Sequence, residues 1–467
     1  MVMADARVAA VRVAQLARDG RFAEVVELFE PPLRAVVSEQ ALQVAWEAEV
    51  GKRGSVSALG EPVGQPAGAG LMQVSVPIIC GDGVLALVMA VDDAGRLHGL
   101  RLAPGTTSVW APPAYAVPER FTEHDVMIGS GPLAVPGTLT LPHSTARTPG
   151  AGQTPSAGRG SGPARTPGAE RTPGAGHTPD GGQASGPGQT PGTGQAPGVV
   201  LLSGGGPFDR DETSGPNKPL KDLAWGLASR GVAALRFDKV TYAHAQAADA
   251  PDFTMTDEYV PHAVAAVRLL QSQGGVDPER IFVVGHSMGG KVAPRVAAAD
   301  ASIRGLVILA GDTQPMHHAA VRVTRHLASL SPGPAAEAMV EGMVRLAATV
   351  DSPDLSPSTP SEALPFGLSA TYWLDLRDYD PVATAVAVDK PMFILQGGRD
   401  YQVTVADDLS GWKAGLGHRP DVTIRVYDAD DHLFFPGDGP STPADYESPQ
   451  HVDPMVIGDI AAWVSAE

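Results

Sequence analysis

Gly285-His286-Ser287-Met288-Gly289 is the only place in the chain where a serine sits in a G-x-S-x-G pattern. A serine hydroxyl is a weak nucleophile until it is exposed and a neighbouring base takes its proton. The pattern also arises by chance, so its surroundings must carry the argument. An apolar run, Ile281–Val284, precedes it and a helical stretch, Lys291–Ala299, follows it, which is the strand–turn–helix context of a nucleophile elbow. In so tight a turn side chains at 285 and 289 would clash. The serine hydroxyl would point outward, and the Met288 N–H would be free to face an oxyanion. The rival reading is a purely structural Ser-Gly turn.

Such a serine needs a base, and the base needs an acid to orient it. In a fold with the chain order serine, acid, histidine, both lie beyond Ser287. Gln396-Gly397-Gly398-Arg399-Asp400 follows directly on the apolar run Met392–Leu395, which predicts Asp400 at the carboxyl edge of a sheet. Asp407 and Asp408 open the next helical stretch and read as capping or first-turn charges. Two histidines follow Asp400. His432, in Asp430-Asp431-His432-Leu433-Phe434, comes just after the run Thr423–Val426, one strand past the acid, so both loops leave the same sheet edge. His432 is the expected base, and His451, before the terminal helix, is its rival. His262, His317 and His318 precede the acid and read as surface or lid positions, while the His286 ring is expected to pack beside the nucleophile.

The second oxyanion donor is expected from Ser203-Gly204-Gly205-Gly206-Pro207, after the run Val199–Leu202. Glycines there let backbone N–H groups approach a substrate unobstructed, and the donor is Gly205 or Gly206. A phosphate-binding loop is the competing reading, but no G-K-[ST] follows and no G-x-G-x-x-G opens a helix.

These residues must be held by a sheet. Val199–Leu202, Val232–Arg236, Ile281–Val284, Leu306–Leu309, Met392–Leu395 and Thr423–Val426 are short apolar runs separated by helical stretches, the pattern of a buried, mostly parallel sheet flanked by helices. Residues 311–390 are long and mainly helical, and are expected to form a lid over the strand ends. Residues 143–198 hold four Thr-Pro-Gly triplets with almost no large apolar residue. Such a segment cannot offset the entropy of ordering it, so a disordered insert is expected between two adjacent strands, Gly137–Pro142 and Val199–Leu202.

The first 103 residues read as a small α+β domain. Val8, Val11, Ala14 and Leu16 begin a helical stripe, and Phe22, Val25, Val26, Leu28 and Phe29 continue it. Ser38 is the expected N-cap of a helix to about Val50, before strands Leu71–Cys80, Val84–Val91 and Leu97–Leu102. Residues 104–119, rich in proline around Trp110 and Tyr115, read as a stiff linker, so the catalytic domain spans 120–467.

The formal charge of −18 argues against nucleic acid as a partner, since phosphate binding needs clustered Lys and Arg. The single cysteine, Cys80, excludes an intrachain disulfide and a cysteine metal site, and reads as a small apolar residue ending a strand. No run approaches the ~20 apolar residues of a membrane helix, and the N-terminus lacks the apolar core of a signal peptide. A cytoplasmic protein with a small-molecule ester or acyl substrate, no metal and no organic cofactor is therefore expected.

The hydrolase half resembles the α/β-hydrolases of the esterase and dienelactone-hydrolase-like kind. More narrowly, it is similar to bacterial hydrolases with a small N-terminal domain of nuclear-transport-factor-like or cystatin-like shape. The stretches that carry the resemblance are Gly206–Thr213, Gly215–Pro219, Asp222–Ala228, Gly285–Gly290, Tyr372–Arg377, Gln396–Tyr401 and His432–Phe434. The resemblance implies a Ser287–Asp400–His432 triad on an α/β-hydrolase fold. It departs in one loop: the family usually has His-Gly-Ser-Gly-Pro where this chain has Ser203-Gly204-Gly205-Gly206-Pro207, which leaves the backbone donors but removes a histidine. The same triad chemistry would serve an acyltransferase, thioesterase or cyclase, and a non-catalytic binding protein on this fold is the alternative of another class.

Overall fold

Apolar runs after residue 120 become strands because each can bury both faces, odd residues on one side and even on the other. A computed structural model describes residues 2–60, 62–68, 71–105, 110–143 and 195–467. In it Phe121–Ile128 (β6), Val135–Pro142 (β7), Ala196–Leu202 (β8), Ala233–Phe237 (β9), Val276–His286 (β10), Gly305–Leu309 (β11), Met392–Gly397 (β12) and Val422–Tyr427 (β13) form one sheet. Its order is β13-β12-β11-β10-β8-β9-β7-β6. The strands β8 to β13 run parallel, and β7 and β6 add antiparallel at one edge.

Strand alternation sorts the core into two layers. Val200, Leu202, Val283, Ile308 and Ile394 pack on one face, against Met255–Gln271 (α7), Met288–Ala299 (α8) and Ser410–Leu416 (α13). Val199, Leu201, Phe282, Val284, Leu309 and Leu395 pack on the other, against Pro219–Ala228 (α5) and Pro454–Ala466 (α14). Each fully buried side chain of this size contributes about 1.5–3 kcal/mol. Val422–Tyr427 alternates half-buried and exposed positions because it is an edge strand, not one of the fully buried runs. Between β9 and α7 lies the short helix Val240–Ala243 (α6).

One expectation about the linking segments needs correction. β7 and β8 are consecutive in the chain but not neighbours in the sheet, because β9 lies between them. Most of the Thr-Pro-Gly segment that joins them, 144–194, lies outside the described residues. Between β11 and β12 the 311–390 segment does fold as helices: Met316–Leu330 (α9), Pro334–Asp351 (α10), Ala370–Asp378 (α11) and Pro381–Val388 (α12). It is pinned to the core by Tyr379 Oη donating to the Lys291 carbonyl at 2.9 Å and by an Arg295–Asp375 pair at 2.8 Å. Asp408, in the first turn after Thr404 as expected, belongs to the same anchorage. It is fully buried, pairs with Arg322 at 2.7 Å and accepts from the Thr313 and Thr404 N–H groups.

An antiparallel sheet domain precedes this fold. Its helices are Val2–Arg18 (α1), Phe22–Glu27 (α2), Pro31–Val36 (α3) and Glu39–Gly51 (α4). Its strands are Val56–Leu59 (β1), Val63–Gly68 (β2), Leu71–Cys80 (β3), Gly83–Val91 (β4) and Leu97–Gly105 (β5). Ser38 caps α4, its hydroxyl accepting from the Ala41 N–H at 3.2 Å, and Cys80 ends β3 buried. The buried stripe of α1 is Ala6, Ala10, Val13, Ala14, Leu16 and Ala17, with Val8 68% exposed. Most of that stripe is alanine, and Val8 lies outside it. Trp110 and Tyr115, ahead of β6, pack on α5: Trp110 Nε1 donates to Asp222 at 2.8 Å, and Tyr115 lies against Gly226. Among the described residues no helix is long and apolar enough to cross a membrane.

Trp412, in α13, is almost completely buried and donates from Nε1 to the Gly311 carbonyl at 2.7 Å, holding the start of the helical segment to the core. Trp412→Ala is expected to lower stability by about 3–5 kcal/mol, read as a shift of the urea midpoint at unchanged m.

Candidate active site

The chain passes from β8 out to β9 and then returns across β8 to β10, so the strand order reverses between β8 and β10. Ligands of open α/β sheets bind outside the carboxyl ends of the strands at such a switch point. Here β8 delivers Ser203-Gly204-Gly205 and β10 delivers His286-Ser287 to the same place.

Ser287 sits at φ 53°, ψ −119°, left-handed for a residue with a side chain. It is held there by its own N–H donating to the Leu309 carbonyl at 2.8 Å and by the Lys291 N–H donating to its carbonyl at 2.9 Å. The flanking glycines are required by crossing backbones. A Cβ on Gly289 would come 2.5 Å from the Leu202 carbonyl and 2.7 Å from that of Ser203, and a Cβ on Gly285 would strike the Gly289 carbonyl. A Cβ on Gly204 would sit 3.2 Å from that of Ser287, so the two loops touch.

Asp400 follows β12 and His432 follows β13, and the two side chains meet: His432 Nδ1 is 2.7 Å from Asp400 Oδ2. Asp400 also accepts from the Gln402 and Val403 N–H groups at 2.7 and 2.9 Å and from Gln396 Nε2 at 3.2 Å. A carboxyl group holding this many donors keeps one orientation toward the imidazole. With Nδ1 occupied, Nε2 is the free nitrogen of His432. His432 and Ser287 line one cavity of 200 Å³ with Gly204, Gly205, Phe208, Glu212, Ser214, His286, Gln402, Leu433 and Tyr446. No residue of 311–390 is among these walls, so the roof expected from the helical segment is supplied instead by the 204–214 loop and by Gln402, Leu433 and Tyr446.

The other sequence candidates lie elsewhere. His451 Nδ1 pairs with Asp222 at 3.0 Å and its ring stands against Trp110. His262 Nε2 lies 2.8 Å from the Leu133 carbonyl. His317 and His318 both reach Asp351, at 2.7 and 2.9 Å. This trio and the Glu30, Asp92, His98 group are the described clusters close enough to share a cation, and neither includes a residue of the Ser287 cavity.

Gly204 spends its N–H on Glu212 Oε1 at 2.6 Å, whereas the Gly205 and Met288 N–H groups have no acceptor among the described residues. The Gly204 carbonyl is held from behind by Lys239 Nζ at 3.0 Å and Tyr259 Oη at 2.7 Å. Sequence reasoning missed Glu212. It is buried at φ 54°, and its Oε1 also meets His286 Nδ1 at 2.9 Å, across 74 residues of chain. His286 is therefore not merely packed beside Ser287, since its Nε2 lies 2.8 Å from the His432 carbonyl. The one signal was an acidic residue inside the Gly206–Thr213 stretch, and no spacing rule links it to His286.

The turn that carries His432 is built on two buried carboxylates. Asp431 Oδ1 accepts from the Leu433 and Phe435 N–H groups at 2.9 and 3.0 Å. Burial pushes Asp431 up, those donors pull it partly back, and it settles at about 6. Asp430 has no hydrogen-bond partner on either oxygen, and burial, then the nearby Asp453 and Asp431 charges, push it to about 8. An unfolded aspartate titrates near ~3.9, so between these values the folded chain keeps a proton that the unfolded chain has released. Asp430 thus contributes stability that is complete below pH ~4 and lost as pH rises toward 8. Asp430→Asn is expected to gain stability relative to wild type over that window, by at most about 1.4 kcal/mol per pH unit. Urea midpoints of both proteins at pH 5 and pH 8 measure it, and parallel pH curves would contradict the assignment.

With this geometry in hand, comparison with known proteins gives a consistent result. Residues 199–446 match the family described as Alpha/beta hydrolase family. The chain is 31% identical over 382 residues to Esterase EstD of Thermotoga maritima, covering 82% of this chain and 77% of that protein. Among solved structures it is similar to an esterase of Pyrococcus furiosus, at 14% identity and TM-score 0.40 over 78% of this chain and 96% of that one. It is also similar to Est1E of Butyrivibrio proteoclasticus, at 13% identity and TM-score 0.40 over 73% and 99%. The sheet order, the turn at Ser287 and the match to more than half of its length agree that this chain belongs to the alpha/beta hydrolase family.

Proposed function

We propose that the chain is a serine esterase working through a covalent acyl-enzyme, with Ser287 as nucleophile, His432 as general base and Asp400 as the group that orients and balances the imidazole. The observation that carries this reading is the 2.7 Å Asp400–His432 pair opening on the same cavity as Ser287. The similarity to a protein named an esterase supports an ester as the bond attacked.

In the first half-reaction the Ser287 hydroxyl adds to the ester carbonyl carbon as His432 Nε2 takes its proton. The carbonyl oxygen becomes an oxyanion and accepts from the Met288 N–H and one glycine N–H of the 204–206 loop. Gly205 lines the cavity and Gly206 does not, which favours Gly205. Collapse of the intermediate breaks the ester C–O bond, and the alcohol leaves with the proton held by His432. Water then adds to the acyl-enzyme with His432 again as base, releasing the carboxylic acid and returning the proton to Ser287. Removing one oxyanion donor typically costs 10²–10³-fold in rate. No step calls for a metal or an organic cofactor. The cavity of 200 Å³ is small beside the ~300–1,000 Å³ of drug-sized pockets, which favours short acyl groups.

Hydrolysis of p-nitrophenyl esters from acetate to decanoate tests this. Wild type is expected to prefer acetate to butyrate. Ser287→Ala and His432→Ala are each expected to lower kcat at least about a thousandfold with the fold intact by circular dichroism. A folded Ser287→Ala variant that keeps its activity would overturn the mechanism.

A further inference from the structure

His286 is enclosed by acceptors. Its Nε2 faces the carbonyl oxygen of His432 at 2.8 Å, and a carbonyl oxygen only accepts, so Nε2 carries a hydrogen. Its Nδ1 faces Glu212 Oε1 at 2.9 Å. A proton between an imidazole and a carboxylate goes to the stronger base, and imidazole exceeds carboxylate by about two pH units in water. His286 is then an imidazolium donating on both sides, with Glu212 as its counter-ion.

We propose that Glu212 and His286 are positioning residues, forming a buried carboxylate–imidazolium strut that joins the oxyanion loop, the nucleophile turn and the backbone of the base. The proposal rests on the triad reading above. Glu212 Oε1 ties down the Gly204 N–H at 2.6 Å, which leaves the next N–H, that of Gly205, to face the cavity. His286 ends β10 and directly precedes Ser287 in the chain. Through Nε2 it then fixes the carbonyl of His432, whose ring lies 4.8 Å from its own. Oxyanion donor, nucleophile and base are separate loops of the chain, and this chain of hydrogen bonds is a direct link among them.

The charged and titratable groups that face the strut come from four segments. Glu212 comes from the loop after β8, Asp400 from the loop after β12, and His432 from the loop after β13. Lys239, after β9, reaches the Gly204 carbonyl on the far side of the loop and pairs with Glu258 at 2.9 Å. Burial pulls the His286 imidazolium down, but the charge and hydrogen bond of Glu212 outweigh it, and the net direction is up. The strut is therefore complete at low pH and is lost as pH rises through that raised value. Both bonds meet at one oxygen, Oε1, while Oε2 is buried without a partner. Glutamine can thus keep an acceptor at the Oε1 position while removing the counter-charge.

Two measurements on the full chain test this. In ¹⁵N-histidine-labelled wild type, the His286 ring, assigned through its own backbone resonances, is expected to have both nitrogens protonated at pH 7.5. A ring with one bare nitrogen at that pH overturns the proposal, and this spectrum does not depend on whether Ser287 is the nucleophile. In Glu212→Gln, kcat is expected to fall about 10–100-fold, the usual effect of losing a group that orients an active-site residue, with KM within about threefold. The ratio of variant to wild-type kcat is expected to rise as pH is lowered from 8 to 6, because His286 regains its proton. Unchanged kcat in folded Glu212→Gln, or a ratio flat with pH, overturns the positioning role. Activity retained in Ser287→Ala would instead overturn the triad reading and leave the spectrum to decide the strut.

Discussion

Everything at this site depends on how closely two strand ends approach. β8 and β10 are neighbours in the sheet although β9 intervenes in the chain, and their carboxyl ends leave no room for side chains between them. Gly289 passes within van der Waals range of the Leu202 and Ser203 carbonyls, and Gly285 passes under Gly289. Ser287 is forced to positive φ as a result, a conformation that costs of order 1–3 kcal/mol and persists only where the surroundings over-determine it. Here they do: its N–H and its carbonyl are both engaged, one to β11 and one to α8. The strain leaves the serine side chain at the mouth of the cavity and the Met288 N–H without an intrachain acceptor.

Around that turn, buried carboxylates hold the loops in place. Asp400 gathers two backbone N–H groups and an amide before it meets His432. Asp431 closes the turn that carries His432, Glu212 anchors Gly204, and Asp408 anchors the segment after β11. A loop has no ladder to satisfy its N–H groups, and an acceptor with two oxygens can collect several at once. Part of the acidic balance of this chain is therefore internal and structural. Its cost is visible in Asp430 and Asp431, which hold their protons well above the usual carboxylate range because burial disfavours their charge.

The small cavity follows from the same arrangement. Its walls are the loops that carry Gly205, Ser287 and His432, with Phe208, Leu433 and Tyr446 supplying the apolar surface. The helical segment between β11 and β12 is held against α8 and α13 by Tyr379, Arg295 and Trp412, and Arg322 of α9 donates to the carbonyl of the wall residue Gln402 at 2.8 Å. Helix α8 begins at the residue after Ser287, so this segment braces the helix that leaves the serine turn.

Period and punctuation made much of this legible in advance. Apolar runs such as Ile281–Val284 and Met392–Leu395 are strands because both of their faces can be buried, and the turn at Ser287 is readable because only glycine fits at 285 and 289. Chain order and strand ends pointed to Asp400 and His432 as candidates, and the loops that carry them leave neighbouring parallel strands. Sheet order was not readable: nothing local in Gly137–Pro142 or Val199–Leu202 says that β9 will come between them. Nor was the course of the 311–390 helices, since an amphipathic helix specifies that it needs a partner and not which one. Glu212 was hidden for the same reason. It lies 74 residues from His286, and a hydrogen bond across that separation exists only once β8 and β10 have paired. The sequence by itself determined which residues form strands, helices and the serine turn, because those depend on neighbours a few residues away. Only the tertiary structure decided which loops share a cavity and which buried charges meet, because both depend on the packing of distant segments.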